Sequence, residues 1–267
     1  MLENPRSPRV RAVAKLAKRS ARKESGRYLL EGPQAVREAL KFAPDAVEEL
    51  YATPTAMEKH PDVRDGARAA GVDVQFADET VIEAIADTVT PQGVVAVARQ
   101  TPTSVRDVFA ASPRLIVVCE EVRDPGNLGT IIRAADAAGA DAVVLTGRTV
   151  DPFNPKVVRA TTGSLFHLPV ALGGALADVV ERVRGAGLQL LAADIDGADL
   201  LVARAEGLLA APTAWLFGNE ARGLDEASLA LADRALRLPI FGRAESLNLA
   251  TAASVCLYES AFAQRAH

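Results

Sequence analysis

Three separated segments of this 267-residue chain place short polar side chains beside glycines, where a strand pattern gives way to a turn and a helix. Such turns expose main-chain N–H groups next to hydroxyl, amide or carboxylate oxygens, which suits the binding of a polar small molecule. Each segment alone also fits an ordinary turn or helix cap, so the chemistry depends on whether the three meet. The segments are residues 124–139, 215–224 and 238–250.

The first segment follows a continuous apolar strand pattern at residues 115–119. Asn127 can cap a helix there, and Arg133, nearly two turns later, can project from the same side. Gly126 and Gly129 do not form the glycine pattern of a dinucleotide-binding loop. The alternative is a glycine-rich turn followed by a surface arginine.

The second and third segments each offer oxygen atoms beside flexible backbone. Glu220 follows a strand pattern in a glycine-flanked loop, where a carboxylate and main-chain amides could face one cleft. Ser246 and Asn248 stand at the start of an Ala-rich helical pattern at residues 247–264. The alternatives are a solvated turn for the second segment and a plain helix cap for the third.

The elements that must position these segments alternate between strand and helix from residue 28 onward. Residues 28–100 are predicted to form a compact α/β unit, and residues 101–113, which contain two prolines, a linker. From residue 114 the strands are short and apolar, which is typical of a parallel sheet covered on both faces. Ligands bind such sheets beyond the carboxyl ends of the strands.

The first 27 residues form a basic extension of net charge +7, although the whole chain carries −4. A basic stripe on an acidic protein indicates a polyanionic partner, most simply nucleic acid. A solvated, partly disordered tail is the alternative. Helical spacing would align five of the basic residues on one face, namely Arg11, Lys15, Lys18, Arg19 and Arg22.

The composition also narrows the class of protein. No apolar run approaches the roughly 18 residues of a membrane span, and the N-terminus lacks the apolar stretch of a secretory signal. We therefore expect a cytoplasmic protein with no membrane partner. Cys119 and Cys256 lie in apolar runs and are predicted to be buried and reduced. Neither they nor the three scattered histidines have metal-ligand spacing, so no metal is expected.

Taken together, the three segments resemble the three motifs of the SpoU (TrmH-like) branch of the SPOUT RNA methyltransferases. Residues 154–160 also look like this family, and residues 30–33 and 90–96 resemble a substrate-binding domain that precedes many members. The residues that match the three motifs are Asn127 and Arg133; Gly218, Glu220, Gly223 and Leu224; and Pro239, Gly242, Ser246, Leu247 and Asn248.

The resemblance implies an α/β fold with two domains. Residues 114–267 would form a SPOUT-type parallel-sheet domain tied in a trefoil knot, although ordinary connection rules predict an unknotted sheet. Residues 28–100 would form a smaller RNA-binding domain similar to a ribosomal-protein (L30e-like) fold. Family members are homodimers, and the long C-terminal helix offers an apolar surface for that purpose.

The resemblance also implies the reaction, which is methyl transfer from S-adenosylmethionine to a ribose 2′-hydroxyl of RNA. Residues expected to line the cofactor pocket are Gly218, Leu238 and Leu247, with Thr146, Gly147, Asn219 and Ile240 as neighbours. Arg133 is expected to face the hydroxyl and the adjacent phosphate, positioned with Asn127, Glu220, Ser246 and Asn248. A guanidinium is a poor base, so we expect a phosphate oxygen or water to take the proton. Expected RNA contacts are Lys156, Arg159, Arg222 and the basic stripe.

Ribosomal RNA, specifically 23S rRNA, is the expected substrate, and DNA is not expected. A transfer-RNA 2′-O-methyltransferase of the same family is the first alternative. A catalytically silent RNA-binding or ribosome-assembly protein is the second, and cofactor binding would discriminate it. A nucleotide-dependent α/β enzyme would need a phosphate loop, which the sequence lacks.

Overall fold

The computed structural model describes residues 1–266, so His267, the last residue of the predicted methyltransferase domain, lies outside it. The chain forms two compact units. The first unit consists of Met1–Thr101 together with Asp151–His167, and the second of Pro102–Val150 together with residues 168–266. Of the predicted linker, residues 101–113, Thr101 is the last residue of this part of the first unit. Residues 102–113 belong to the second unit.

The strands are β1 (Arg27–Glu31), β2 (Val47–Ala52), β3 (Val74–Phe76), β4 (Val94–Arg99), β5 (Leu115–Glu120), β6 (Ala142–Thr146), β7 (Val170–Leu172), β8 (Gln189–Asp199), β9 (Thr213–Phe217) and β10 (Arg234–Arg237). The helices are α1 (Pro8–Ala14), α2 (Arg19–Ser25), α3 (Pro33–Phe42), α4 (Pro54–Lys59), α5 (Pro61–Ala69), α6 (Glu79–Ile85), α7 (Val105–Ala110), α8 (Pro125–Ala138), α9 (Pro155–Thr161), α10 (Leu176–Gly185), α11 (Leu200–Ala205), α12 (Glu226–Leu229) and α13 (Leu249–Arg265). Among residues 1–266 no helix is long and apolar enough to cross a bilayer.

The first unit is built on a four-stranded sheet in the order β1-β4-β2-β3. Strand β4 is antiparallel to β1 and β2, and β2 is parallel to β3. One buried cluster includes Leu30 and Val36, and another includes Leu29 and Val97. Because Leu29 and Leu30 point to opposite faces of β1, the sheet carries a core on each side.

The basic N-terminal residues are part of this unit. Helices α1 and α2 are separated by a 3-10 turn and by Lys18, whose backbone is extended at φ −90° and ψ 135°. The prediction of one helix with a continuous basic face is therefore wrong. Spacing of the charges alone led to it, whereas Val10, Val13 and Leu16 share the same helical periodicity and are buried.

Arg22 is buried in the first unit and is not part of an exposed stripe. Its guanidinium binds the Asp151 carboxylate at 2.7 Å and donates to the carbonyl oxygens of Leu16 and Ala17. A buried arginine whose donors are engaged in this way cannot also bind a phosphate. The prediction that Arg22 contacts RNA is therefore wrong. Exposed cations remain at Arg11, Lys15, Lys18 and Arg19.

Residues 151–167 complete the first unit although they follow β6 of the second. The Phe153 ring packs against Tyr28 of β1 with ring centroids 4.8 Å apart. Arg159 of α9 forms ion pairs with Glu31 at 3.1 Å and Asp87 at 3.2 Å. This segment therefore closes both the apolar core and a charged cluster of the first unit.

The second unit is a six-stranded sheet in the order β10-β8-β9-β5-β6-β7, and all of its pairs are parallel. The prediction of a parallel sheet is confirmed. Helices α7 and α10 share a buried cluster with Ile116 and Leu216 on one face. On the other face Trp215 Nε1 donates to Ser260 Oγ of α13 at 2.9 Å, and α13 packs against α8. The sheet is therefore covered on both sides, as a run of apolar strands requires.

The edge of this sheet near β10 is irregular. Strand β10 ends at Arg237, so the third segment, residues 238–250, begins outside the sheet. Pairing of β10 with β8 jumps from Ala192 to Ala198, so five residues of β8 are looped out. Residues 240–248 then run exposed to the start of α13.

Both cysteines are buried and free, as predicted. Burial raises the pKa of the Cys256 thiol to about 12, and burial together with the nearby Glu220 charge raises the pKa of Cys119. Since the thiolate is the reactive form, we expect neither thiol to react with an aromatic disulfide reagent at pH 8 in the native protein. The absorbance of the released thiolate measures this, with the denatured protein reacting at both positions as the control. Rapid native-state reaction at either cysteine would contradict this burial.

Candidate functional site

The first segment forms the turn from β5 into α8. Asp124 is the N-cap, and its Oδ1 accepts from the Asn127 N–H at 2.8 Å. The predicted capping role of Asn127 is therefore wrong, and its side chain is free for other contacts. Asp and Asn cap helices equally well, but Pro125 occupies the first helical position and fixes the start one turn earlier.

Arg133 lies on the exposed side of α8, two turns from its N-terminus. No ion pair or hydrogen bond engages its guanidinium within residues 1–266. All five of its N–H donors are therefore available to a ligand.

Glu220 joins the second segment to the first. Its carboxylate accepts from the main-chain N–H of Asp124 at 2.9 Å and from that of Arg123 at 3.2 Å. These two N–H groups precede the first turn of α8, where main-chain donors lack intrahelical partners and favour negative charge. Glu220 thus fixes the entry into α8.

Asn219 provides a second link between the same two segments. Its Nδ2 donates to the Glu121 carbonyl oxygen at 2.9 Å, and its Oδ1 accepts from the Ala221 N–H at 3.0 Å. The main chains of Asn219 and Gly223 exchange two hydrogen bonds and close the loop on itself. The second segment is therefore an ordered loop held against the β5–α8 turn.

Asn248 brings the third segment to the first. Its Oδ1 caps α13 by accepting from the N–H groups of Ala250 and Thr251. Its Nδ2 donates to Asn127 Oδ1 at 2.9 Å. The amide group of Asn127 is thereby oriented with its Nδ2 donors left for a ligand. Ser246 lies two residues earlier and is exposed.

The residues predicted for the cofactor pocket fall into two groups. Gly218 follows β9, Leu238 is half-buried directly after β10, and Ile240 and Leu247 lie in the exposed run before α13. Among the described residues, the main chain of residues 238–247 makes no hydrogen bond to other main-chain groups. This segment offers apolar side chains beside free N–H and C=O groups.

Thr146 and Gly147 belong to the other group, at the end of β6. Strand β5 lies between β6 and β9, which places the two strand ends about 10 Å apart. The Thr146 hydroxyl is buried and donates to the Cys119 carbonyl oxygen at 3.2 Å. Thr146 and Gly147 therefore lie at the same edge of the sheet as Gly218, two strands away.

The predicted RNA contacts outside the basic helices differ in their availability. Lys156 is exposed, whereas the Arg159 guanidinium is engaged by Glu31 and Asp87. Arg222 is exposed and donates to Glu121 Oε2 at 2.9 Å. Sequence reasoning overlooked Glu121 and Arg123, for which the only signal was their position immediately after a buried strand.

Comparison with known proteins shows which family has this sequence and fold. The SpoU rRNA methylase family model matches residues 114–258, and the MRM3-like substrate-binding domain model matches residues 7–96. The second match includes the basic helices α1 and α2. The chain is 34% identical to the 23S rRNA (guanosine(2553)-2′-O)-methyltransferase RlmP of Bacillus subtilis, over 96% of this chain and 97% of that protein.

Other relatives agree with these matches. The 23S rRNA (uridine(2479)-2′-O)-methyltransferase of Streptomyces viridochromogenes is 32% identical over 92% of this chain and 86% of its own length. The crystal structure of the AdoMet-bound rRNA methyltransferase from Sinorhizobium meliloti has a TM-score of 0.84 and 35% identity, covering 97% of this chain and 96% of that one. The chain with these three converging segments belongs to the SpoU rRNA methylase family.

Proposed function

We propose that this protein transfers a methyl group from S-adenosylmethionine to a ribose 2′-hydroxyl of 23S ribosomal RNA. The observation that carries the proposal is the meeting of three distant segments through Asn248–Asn127 and through Glu220 with the Asp124 main chain. The names of the relatives support the reaction and the RNA class.

The segment after β10 and the loop after β9 fit the cofactor. An adenine edge and a methionine moiety need main-chain donors and acceptors beside apolar side chains, which Gly218, Leu238, Ile240 and Leu247 would supply. Gly218 approaches the Gly223 main chain so closely that an added Cβ would lie 2.6 Å from it. When bound, S-adenosylmethionine supplies a methyl group already activated on a positively charged sulfur.

We expect Gly218→Ala to lower the affinity for S-adenosylmethionine at least about tenfold. The added methyl group would push the main chain of residues 223–224 away, at a cost of about 1–3 kcal/mol. Titration calorimetry measures the change. Gly185→Ala, at the end of α10, is the matched control, because a Cβ there meets nothing within 4 Å. Equal affinity of the two variants would remove this close approach from the cofactor site.

The chain's own groups account for the remaining steps. Arg133 binds the phosphate beside the target ribose and stabilises negative charge on the 2′-oxygen, while a phosphate oxygen or water takes the proton. Asn127, oriented by Asn248, and Ser246 position the ribose, and Glu220 holds the turn that presents them. Alignment of the two reactants is the largest expected gain in rate.

The exposed cations of the first unit bind the RNA backbone. Arg11, Lys15, Lys18 and Arg19 remain exposed on or beside α1 and α2, and Lys156 is exposed on α9. Lysine and arginine contacts to phosphate give affinity without sequence selection. The match of this region to a substrate-binding domain model supports that role.

The finer structural proposals follow from the family. The chain is proposed to act as a cytoplasmic homodimer, with the C-terminal segment tied in a trefoil knot and an L30e-like first domain. Half-exposed apolar side chains on α13 support an interface between copies; they are Val255, Tyr258 and Phe262. Light scattering during gel filtration tests the oligomeric state.

The function is tested with RNA from cells that lack the gene. Purified protein and tritiated S-adenosylmethionine should label the 23S RNA at one ribose, which mapping of 2′-O-methyl positions identifies. Labelling of transfer RNA instead would overturn the ribosomal assignment. Cofactor binding without labelling of either RNA would favour the silent RNA-binding protein.

A further inference from the structure

Glu121 is a strained residue, the first of the turn between β5 and α8. Its φ is +53°, a left-handed conformation that residues other than glycine rarely adopt. Such strain persists only where the surrounding structure enforces it, and it is concentrated at functional sites. The contacts of Glu121 show what enforces it.

Glu121 is held by both neighbouring loops. Its carbonyl oxygen accepts from Asn219 Nδ2. Its Oε2 accepts from a guanidinium nitrogen of Arg123 at 3.1 Å and from one of Arg222 at 2.9 Å. One carboxylate oxygen therefore binds Arg123, which immediately precedes the first segment, and Arg222 of the second segment.

The two arginines retain most of their hydrogen-bonding capacity. Their side chains are 49% and 69% exposed, and each guanidinium carries five N–H donors. The two nitrogen atoms that share Glu121 Oε2 are at most about 6 Å apart. Their spacing fits two N–H···O bonds to a single phosphate group, which is the geometry that arginine provides best.

The position of this pair is also fixed from the main chain. The Arg123 N–H donates to Glu220, and Arg222 lies in the loop that Asn219 and Gly223 close. Glu121 neutralises one of the two positive charges of the pair. It is therefore a preorganised cationic fork beside the turn that carries Asn127.

We propose that Arg123 and Arg222 together bind one backbone phosphate of the RNA substrate near the target ribose, and that Glu121 is the positioning residue that holds the two guanidinium groups together. This inference rests on the proposed function. It assigns phosphate binding to Arg123 and positioning to Glu121, neither of which belongs to the three motifs. It also makes Arg123 the second phosphate-binding residue beside Arg222.

The experiment measures RNA binding against salt concentration, and kcat and KM, for Arg123→Ala, Arg222→Ala and the double variant. Each single variant should raise the KM for RNA about tenfold, with kcat and cofactor affinity within twofold. The salt slope of RNA binding should fall by about 0.7, the value for one phosphate on a single strand. The double variant should match the singles, because both arginines are needed to hold the one phosphate.

The Glu121→Gln variant tests whether Glu121 holds the two guanidinium groups in place or acts only through its negative charge. It should raise the KM for RNA about threefold and leave the salt slope unchanged, because both arginines remain. A lower KM in this variant would mean that Glu121 competes with the phosphate and would overturn its positioning role. Arg182→Ala, an exposed arginine on α10, is the control and should change nothing.

Two further outcomes would overturn the shared phosphate. One is an unchanged KM in both single variants. The other is a double variant whose salt slope falls by twice the single value, which would indicate two separate phosphates. Failure of the proposed function is distinct, because the unmodified protein would then not methylate ribosomal RNA.

Discussion

Replacing Arg133 with alanine is expected to lower methyl transfer by about 10³-fold, while affinity for S-adenosylmethionine stays within twofold. Loss of a single donor that stabilises developing oxyanion charge costs about 10²–10³ in rate, and Arg133 is also expected to hold a phosphate. The cofactor segment lies after β9 and β10, whereas Arg133 lies on α8. Tritium transfer to 23S RNA and titration calorimetry measure the two quantities on the same preparation.

Two further variants sharpen this result. Arg133→Lys retains the charge but loses the planar fork, so we expect a loss of activity between those of the unmodified protein and Arg133→Ala. Arg182→Ala, on α10, should be fully active. An equal loss of methyl transfer and cofactor affinity in Arg133→Ala would remove Arg133 from the chemistry.

Replacing Arg22 with alanine is expected to destabilise the first unit by about 3–5 kcal/mol, because removal of one partner leaves a largely buried charge uncompensated. The Arg22 side chain is 2% exposed and that of Asp151 is 16% exposed. The substitution also leaves the carbonyl oxygens of Leu16 and Ala17 without the guanidinium that binds them. Hydrogen exchange of the first unit in increasing urea measures the loss.

The experiment measures the stability of each unit separately. Trp215 is the only tryptophan and lies in β9, so its fluorescence reports on the second unit and should change much less. Arg9→Ala is the matched control, since the Arg9–Glu49 pair is on the surface and should contribute no more than about 1 kcal/mol. A shift for Arg22→Ala as small as that for Arg9→Ala would show that the buried pair is not stabilising.

The sequence predicted the sheet and the meeting of the three segments for one physical reason. Apolar strands alternating with helices must lie parallel, and the carboxyl ends of parallel strands share an edge. In the structure the Asn248–Asn127 bond and the Glu220 contacts join the three segments at that edge. The contacts of Glu121 could not be predicted, because they depend on a backbone conformation that a glutamate rarely adopts.

The predictions for the N-terminal residues were wrong because charged and apolar residues there recur with the same helical spacing. Residues 8–25 carry charges and apolar residues with the same helical period, and attention to the charges missed that Val10 and Val13 are buried. The same omission placed Arg22 on the surface.

The allocation of residues 151–167 to the first unit limits how these units can be exchanged between proteins. Those residues lie within the stretch that matches the methylase family model, yet Phe153 covers Tyr28 and Asp151 neutralises Arg22. A graft that joined residues 1–101 to another enzyme would leave an aromatic ring bare and a guanidinium without its counterion. Recombination at one junction therefore cannot transfer the first unit intact, and exchanging it requires a second, internal insertion.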